Sequence, residues 1–435
     1  MISIKDGTIK KNNVKTVVGI DLGKEYAQIS FFKSGEAEPE TVSAVTGTEM
    51  YNIPTVLAKR KKVGQWFYGR DALKRSSDDV IPVDDLLNKA IRGEDVMVED
   101  EAYDPVALLI LFIKRSLGLL NMRISAKEID AYMFTLDELS QRAVEVLGKI
   151  AAALDIKNEN VTYASHVECF YSYMIHQPEE LWKYQVMVYE YNDILKSMLF
   201  ECSHNTVPEV VFIHSTAHEN IKRIDWSSEE DAKQAQQTAL DEDFNVVCEE
   251  ELRDTDVTTI YLIGEGFKES WAKESLKTLC RNRRVFQGNN LFSKGACYAM
   301  MDRLSPSEIS KNHVYLGEDK IKANIGMNVL RRGEESYFAI LDAGRSWYEI
   351  NEDFEIILDE GNELSFVITS LTGGHVTEKT VVLEGLPKRP RGTTRLSIHI
   401  EMEDVNNMEI QIEDKGFGEI IKSCGSAWTH VLSLD

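Results

Sequence analysis

The chain has 435 residues, of which 43% are hydrophobic and 28% charged, and this composition predicts a globular protein with apolar material for more than one core. Its formal net charge of −23 opposes attraction to phosphate backbones and to anionic membrane surfaces, so we expect neither nucleic acid nor a membrane as partner. The six cysteines form no CxxC pair and have no ligand-like spacing to histidines, which predicts buried free thiols.

The first residues contain no apolar stretch of signal-peptide length. The longest purely apolar run, Ala107 to Ile113, is too short to span a bilayer. We therefore expect a soluble, cytoplasmic protein.

The N-terminal half predicts alternating strands and helices. A hairpin is expected from Val14 to Phe32, with the turn Asp21 to Lys24, and Asp104 and Pro105 form an N-cap and first turn for a helix. A strand from Ile129 to Phe134, a helix from about Asp137 to Leu154 and a strand from Val161 to Ala164 then give the β-α-β order of an α/β lobe.

The second half adds further strands and helices and then changes character. The further predicted elements are a hairpin from Gln185 to Glu201, exposed acidic helices between Ser227 and Arg253, a strand from Thr259 to Ile263, a helix from near Ser270, a turn around Asn289 and a helix from Ser293 to Asp302. From Val314 onward the apolar residues alternate with a period of two, which predicts an all-β domain.

The segment VVGIDLGKEYAQISFF, Val17 to Phe32, resembles the first phosphate hairpin of the seventy-kilodalton heat-shock chaperones. In that family the hairpin's Asp orients water on a magnesium ion, and its Gly lets backbone amides approach phosphate oxygens. The resemblance places Asp21 and Gly23 in those roles. Lys24 takes a place where the family has a small hydroxyl residue and could contact a phosphate, and Lys89 lies near the place of the family's catalytic lysine.

Further segments match the same family in the same order. YLIGEGF, Tyr261 to Phe267, resembles the adenosine motif, in which Gly264 and Gly266 let a nucleoside lie against the backbone. The stretch from Leu386 to Glu419 resembles the chaperone β-sandwich, with a PxxPRG turn before two paired strands.

The resemblance implies an α/β two-lobed actin-like ATPase fold, with ribonuclease H-like lobes, followed by an all-β sandwich. The implied segments are lobe I at 14–180, a shortened lobe II at 181–305, a linker at 306–320 and a β-sandwich at 321–435. ATP or ADP with Mg²⁺ would be the cofactors, and a protein or peptide would be the partner.

The sequence departs from the family where the catalytic groups should lie. The second phosphate hairpin, Val186 to Asp193, has no glycine, so its side chains would crowd the phosphates unless Glu190 or Asp193 serves in an altered turn. His166 aligns with the family's catalytic glutamate, and an attacking water needs a carboxylate or an equivalent base. The sequence also has no helical lid after the β-domain, and its linker lacks the family's aliphatic run.

These departures predict a divergent chaperone-like binding scaffold for protein or peptide, with weak or lost ATP hydrolysis. An active ATPase that uses Glu190 or Asp193 in its second phosphate loop is one alternative. An actin-like assembly protein is another.

Overall fold

The computed structural model describes residues 16–45, 47–75, 79–204, 208–226, 229–288, 290–331, 333–370 and 375–434. Residues 1–15, where we expected no export signal, and the turn expected at Asn289 lie outside the described residues. The chain is mixed α/β and divides into two compact units, Met1–Tyr315 and Leu316–Asp435, which we describe one at a time.

The first half of unit 1 builds a mixed sheet with helices and small side sheets. Its elements are β1 (Thr16–Leu22), β2 (Tyr26–Lys33), β3 (Glu40–Thr41), β4 (Ile53–Pro54), β5 (Leu57–Arg60), β6 (Trp66–Tyr68), α1 (Gly69–Lys74), β7 (Val80–Val83), α2 (Leu86–Arg92), β8 (Val96–Val98), β9 (Glu101–Tyr103), α3 (Pro105–Leu117), β10 (Ala131–Leu136), α4 (Gln141–Ala153), β11 (Val161–Ser165) and α5 (His166–Ile175).

The second half of unit 1 builds another mixed sheet. Its elements are β12 (Gln185–Tyr191), β13 (Ile194–Ser203), β14 (Glu209–Lys222), α6 (Glu230–Glu251), β15 (Val257–Ile263), α7 (Lys273–Leu279), β16 (Arg284–Gln287), α8 (Leu291–Leu304), α9 (Glu308–Asn312) and β17 (His313–Tyr315).

The two sheets repeat one strand order. The first runs β11-β10-β1-β2-β3 and the second β16-β15-β12-β13-β14, with β17 added at its edge. In each, an antiparallel hairpin is followed by a third antiparallel strand on one side and by two parallel strands on the other. The carboxyl ends of the parallel strands therefore meet at one edge of each sheet.

Helices α5 and α8 pack against each other in a core that both sheets share. Val17 and Met133 of the first sheet and Val188 and Phe200 of the second belong to this buried cluster. The contact is close because α8 carries Gly295, where an added Cβ would lie 2.0 Å from the carbonyl oxygen of Cys169.

The strands alternate between this shared core and outer cores. In β12, Val186 and Val188 face the shared core, whereas Met187 and Tyr189 face a second cluster formed with α6 and α7. Helix α6 was expected to be exposed, but Phe244 is fully buried in that second cluster, so the prediction is wrong for this face. Ser227 and Ser228, at the start of the predicted segment, lie outside the described residues.

Two predicted helix starts had different outcomes. Asp104 caps α3, as predicted, and its Oδ1 accepts a hydrogen bond from the Val106 N–H at 3.0 Å. Helix α4 was expected from about Asp137 but begins at Gln141, because Ser140 caps it by accepting from the Ala143 N–H at 3.2 Å. The residues before Ser140 therefore stay outside the helix.

The helical stretch Pro105–Met122 is the described segment that is long and apolar enough to cross a membrane, with a mean hydropathy of 1.5. Of its 18 residues, 44% are buried inside the fold, where Leu109 and Phe112 belong to the outer core of the first sheet. Core helices of soluble proteins pass the same test, so this segment carries no argument about a membrane.

The expected linker at 306–320 is largely ordered structure within unit 1. Residues 308–312 form α9, and the next three residues form β17, which pairs in parallel with the start of β14. The division between the units falls after Tyr315.

Unit 2 is a sandwich of two four-stranded sheets, β19-β18-β21-β22 and β20-β23-β24-β25. Residues of both sheets, among them Phe366 and Ile398, share one core. The strands are β18 (Ala323–Arg331), β19 (Glu334–Leu341), β20 (Asn351–Leu358), β21 (Glu363–Ser370), β22 (Val376–Val382), β23 (Thr394–Met402), β24 (Asn407–Asp414) and β25 (Ala427–Ser433).

Cysteine burial differs from the prediction at the surface. Cys169, Cys248 and Cys297 are buried, whereas Cys280 and Cys424 are exposed and Cys202 is half-buried. The prediction of buried thiols is therefore wrong for half of them.

We expect Gly295→Ala to lower the free energy of unfolding by about 1–3 kcal/mol, because the new methyl group must push α5 and α8 apart. The matched control is Gly148→Ala within α4, where an added Cβ would meet only the Tyr163 hydroxyl at 3.7 Å. That control should be neutral or stabilising by up to about 1 kcal/mol. Chemical denaturation measures both, and equal effects of the two substitutions would contradict the close packing.

Candidate functional site

The candidate site lies between the two sheets, where strands of both end. Asp21 is near the end of β1, Asp137 directly follows β10, His166 directly follows β11, and Glu190 is near the end of β12. Three of these side chains are buried, since Asp21, His166 and Glu190 are only 3%, 6% and 6% exposed. Ionisable groups so far from water need partners, and the structure supplies them.

His166 is held by Asp21 and by an aromatic ring. Its Nε2 lies 2.8 Å from Asp21 Oδ1, and its ring stacks on Phe292 of α8 with centroids 3.9 Å apart. Ser165 fixes the start of α5 by accepting a hydrogen bond from the Glu168 N–H at 3.2 Å, so the imidazole projects from the first residue of that helix. The first sheet and α8 thus meet at one histidine.

The other side of His166 faces Glu190. The Nδ1 atom lies 3.9 Å from Glu190 Oε1 and has no hydrogen-bond partner among the described residues. Glu190 Oε1 accepts a hydrogen bond at 2.9 Å from the Asn192 amide. Nearby, Asp137 pairs with Lys196 of β13. The cluster therefore joins carboxylates of both sheets through one imidazole.

The charges in this cluster are coupled. Burial lowers the pKa of His166, but attraction to the Asp21 carboxylate and the hydrogen bond to it outweigh burial and raise the pKa to about 9. Burial raises the pKa of Glu190 to about 7 against the opposing attraction of His166. His166 is therefore an imidazolium at neutral pH, and its charge compensates the neighbouring carboxylates.

Ligand atoms of Asp137, His166 and Glu190 lie within 4.8 Å of one another, a spacing that suits a metal ion. The carboxylates already have cations, because Lys196 pairs with Asp137 and the protonated His166 faces Glu190. We therefore assign no metal to this cluster.

The two hairpins, β1–β2 and β12–β13, touch each other directly above this cluster. Lys24 Nζ lies 2.5 Å from Asp193 Oδ2, and the Tyr26 hydroxyl donates to Asn192 Oδ1 at 3.4 Å. Arg223, just after β14, forms an ion pair with Glu25. We call these contacts the clasp. They occupy the space between the hairpins, where the resemblance implies phosphates.

Glu265, two residues after β15, adds further contacts to the clasp. Its backbone N–H donates to Asn192 Oδ1 at 3.1 Å, and its carboxylate pairs with Lys268 at 2.6 Å. The same carboxylate accepts a hydrogen bond from the Asn52 amide, which itself accepts from Gln28 of β2 at 2.5 Å. The clasp thus reaches from the first sheet to the end of β15.

The space beside Gly264 and Gly266 is occupied by the chain itself. An added Cβ at Gly264 would lie 2.4 Å from the backbone oxygen of Tyr191, and one at Gly266 would lie 2.3 Å from the ring of the same tyrosine. Gly264 also has a φ of +101°, which favours glycine. These glycines make room for Tyr191, which differs from the expectation that they make room for a nucleoside.

The remaining predicted site residues lie apart. Gly23 closes the first hairpin, because its N–H donates to the Tyr26 carbonyl oxygen at 2.9 Å. Lys89 Nζ donates to the Asp84 carbonyl oxygen at 2.8 Å, just before its own helix α2. Among the described residues, the polar partner of the Lys89 side chain is Asp84, and not Asp21.

A cavity of 340 Å³ adjoins the clasp, and Tyr26, Asn52, Arg70, Glu265 and Lys268 are among its lining residues. Asp21, His166 and Glu190 do not line it, so the buried cluster is closed off from this cavity.

The sequence did not identify Asp137, Asn192, Arg223 or Glu265 as site residues. Asp137 was missed because the helix was expected to begin there. The others are polar residues after strands β12, β14 and β15, and strand ends at a common sheet edge were the one signal that could have found them.

Two comparisons with known families give matches over most of the chain. A model described as "Family of unknown function (DUF5716) C-terminal" matches residues 38–318. A second, described as "Domain of unknown function (DUF8552)", matches residues 320–434. No curated protein matches the chain. The two matched segments meet close to the division between the structural units.

We expect the free energy of unfolding to fall as pH rises from about 6.5 to about 9, by up to ~3 kcal/mol. Over this range folded His166 keeps a proton that the unfolded chain releases, so rising pH favours the unfolded chain. Glu190 adds a loss of the same sign between its ordinary value of 4.5 and about 7.

Denaturation curves across this pH range test the coupling. His166→Gln should flatten the profile between pH 7 and 9, and His214→Gln, at an exposed position of β14, is the matched control. Parallel profiles for the wild type and His166→Gln would refute a raised pKa of His166.

Proposed function

The chain belongs to the family of unknown function DUF5716, C-terminal, and on that premise we propose that it is a two-lobed binding scaffold of actin-like fold. Its lobes are held together by side chains instead of by a nucleotide. Its C-terminal β-sandwich binds an extended segment of another protein. In this proposal the chain is a divergent relative of the heat-shock chaperones that does not hydrolyse ATP.

The repeated strand order supports the fold proposal. We number the five main strands of each sheet by their order along that half of the chain. In both sheets the spatial order is then third-second-first-fourth-fifth, and only the second strand is antiparallel to its neighbours on both sides. Two such sheets around a pair of packed helices are what ribonuclease H-like lobes of the actin type require. The shared core around α5 and α8 is consistent with this duplication.

The clasp is the observation that carries the functional proposal. Phosphate binding between two hairpins needs backbone amides that open onto an empty gap. Here Lys24 reaches Asp193 across that gap, and Asn192 takes hydrogen bonds from both sides of it. A triphosphate would have to break these contacts and desolvate the same charges again.

The catalytic position supports the same proposal. An ATPase needs a group that orients and deprotonates water. His166 stands there, but it is buried, its Nε2 is engaged by Asp21, and its pKa is raised to about 9. A protonated imidazole cannot accept a proton from water, so His166 cannot serve as that base.

The β-sandwich supplies the binding surface of the proposal. Strands β22 and β25 each end a sheet, and residues of both line a groove of 370 Å³ that includes Val382, Trp428 and Leu432. His430 lines the same groove, and its Nε2 atom is buried without a partner among the described residues. An unpaired strand edge binds extended peptides by adding a strand, and apolar pockets then select side chains.

The charge of the chain indicates which segments would bind. A net charge of −23 favours partners with positive charge, and the exposed Val382 favours apolar side chains. We therefore propose an extended segment with apolar residues flanked by lysine or arginine.

We expect no saturable heat when the full chain is titrated with millimolar ATP and Mg²⁺, and no steady-state hydrolysis above background, because the clasp fills the phosphate space. Asp21→Asn provides the comparison. Turnover at ordinary chaperone rates that Asp21→Asn abolishes would refute the proposal and favour an active ATPase that uses Glu190 or Asp193.

We expect the full chain to bind a permanently unfolded, reduced and alkylated basic protein, and Val382→Glu to weaken that binding by roughly tenfold, since a buried carboxylate in the groove costs about 1–3 kcal/mol. Fluorescence anisotropy measures it. Ile357→Glu is the matched control, because Ile357 is also an exposed apolar residue, 54% exposed, on the end strand β20. Absence of binding, or equal losses in both variants, would contradict the groove assignment.

A further inference from the structure

Three potential metal ligands gather around the carboxylate oxygen of a fourth, Glu209, at the edge of the second sheet. Glu209 Oε2 lies 3.4 Å from Cys202 Sγ, 2.7 Å from His204 Nδ1 and 3.4 Å from His313 Nε2. The ligand atoms of Cys202, His204 and Glu209 all lie within 4.8 Å of one another. The set combines a thiol, two imidazoles and a carboxylate.

Strand pairing brings these residues together across the sequence. Cys202 lies near the end of β13 and pairs with Val211, two residues beyond Glu209 on the same face of β14. Glu209 in turn pairs with His313 of β17, which is parallel to β14. Side chains of paired residues project from one face, so the thiol, the carboxylate and the imidazole of His313 converge.

His313 is oriented as a metal-binding histidine is. Its Nδ1 donates to the Ile309 carbonyl oxygen at 2.9 Å, which leaves Nε2 directed at Glu209 and available to a ligand. The edge of Trp182 packs against the ring with centroids 5.2 Å apart, and the imidazole side chain is only 8% exposed. The nitrogen available for a ligand is therefore fixed in position.

We propose that Cys202, His204, Glu209 and His313 form a structural zinc site that joins the β13–β14 hairpin to β17. Zn²⁺ favours four ligands drawn from thiolate, imidazole and carboxylate, whereas Mg²⁺ and Ca²⁺ favour oxygen atoms. A site with one sulfur and two nitrogens selects against those harder cations. This site lies outside the clasp, and the inference does not depend on the proposed function.

Two of the ligand-atom distances match those of a tetrahedral centre, whereas His313 lies outside the 4.8 Å group of the other three ligands, so the four side chains must draw together when zinc binds. Zinc bonds of about 2.0–2.3 Å separate ligand atoms by roughly 3.3–3.7 Å. The contacts of Glu209 with Cys202 and His313, both 3.4 Å, already lie in that range. His204 must move outward by less than about 1 Å, which its 56% exposed side chain permits.

The charges favour a cation here more than in the buried cluster around His166. Asp137 in that cluster has Lys196 as its cation. Among the described residues, the ion-pair partners of Glu209 are the two histidines. Zinc would replace the protons on these imidazoles and on the Cys202 thiol, as it does at other thiolate sites.

Zinc and Co²⁺ titrations of the full chain, stripped with a chelator, test the site. We expect one equivalent of Zn²⁺ to bind, to raise the melting temperature, and to be displaced by the chelator. Co²⁺ should give the thiolate-to-metal absorption of a cobalt–sulfur bond together with the strong visible band of a tetrahedral centre.

Matched variants separate the site from adventitious binding. Cys202→Ser should remove the thiolate band, and His313→Gln and Glu209→Gln should weaken zinc binding at least tenfold. Cys280→Ser and His214→Gln, at exposed positions elsewhere, should change neither. Circular dichroism checks folding of each variant, and Glu209→Gln keeps the side-chain shape if the others do not fold.

Cobalt binding without a thiolate band, or zinc binding that Cys202→Ser and Glu209→Gln leave unchanged, would overturn the site. Loss of zinc binding in both control variants would do the same. None of these results bears on ATP or peptide binding, so failure of the zinc site is distinguishable from failure of the proposed function.

Discussion

The contact between Asp21 and His166 is the interaction on which the arrangement of unit 1 depends. It places an imidazolium and a carboxylate together, both buried, where β1 of the first sheet meets the start of α5. Separating them would leave an uncompensated charge inside the protein, at a cost of roughly 3–5 kcal/mol. Helices α5 and α8 pack in the core that both sheets share. Contacts that fix His166 at the start of α5 therefore also fix the positions of the two sheets. The positions of the two sheets of unit 1 thus depend on a buried charge pair.

The clasp follows from the same constraint. Glu190 lies close to His166, and this places the β12–β13 hairpin against the β1–β2 hairpin. Asn192 can then donate to Glu190 and accept from the Tyr26 hydroxyl and the Glu265 N–H. A nucleotide would stabilise such a gap by a free energy that depends on the logarithm of the nucleotide concentration. Contacts within the chain act at all times, although the exposed pair Lys24–Asp193 contributes little by itself. Asn192 forms three hydrogen bonds, with Glu190, Tyr26 and the Glu265 N–H, and so connects three segments of the clasp.

The sequence predicted the parts of this site that depend on local pattern. The apolar strand that leads to Asp21 and the hairpin that carries Glu190 are local features and were predicted, whereas the Ser165 cap that places His166 was not. Arg223 and Glu265 contact Glu25 and Asn52, which lie far from them in the chain. No spacing in the sequence predicts these contacts. The Cys202 site escaped for the same reason, since His313 comes to it through the pairing of β17 with β14 in a segment expected to be a linker. Pairing between distant strands decides these sites, and pattern within a strand does not reveal it.

The zinc site and the clasp, taken together, bear on whether unit 1 can act as a switch. A switch needs an element with two arrangements whose balance a ligand shifts. The clasp connects the two hairpins. The last strand of unit 1, β17, is joined to β14 by strand pairing and by the contact between His313 and Glu209. Contacts within the chain therefore hold both the space between the hairpins, where a nucleotide would bind, and β17, through which a change in unit 1 would have to pass. Under the proposed function, binding of a partner would therefore be controlled at the β-sandwich and not between the two hairpins.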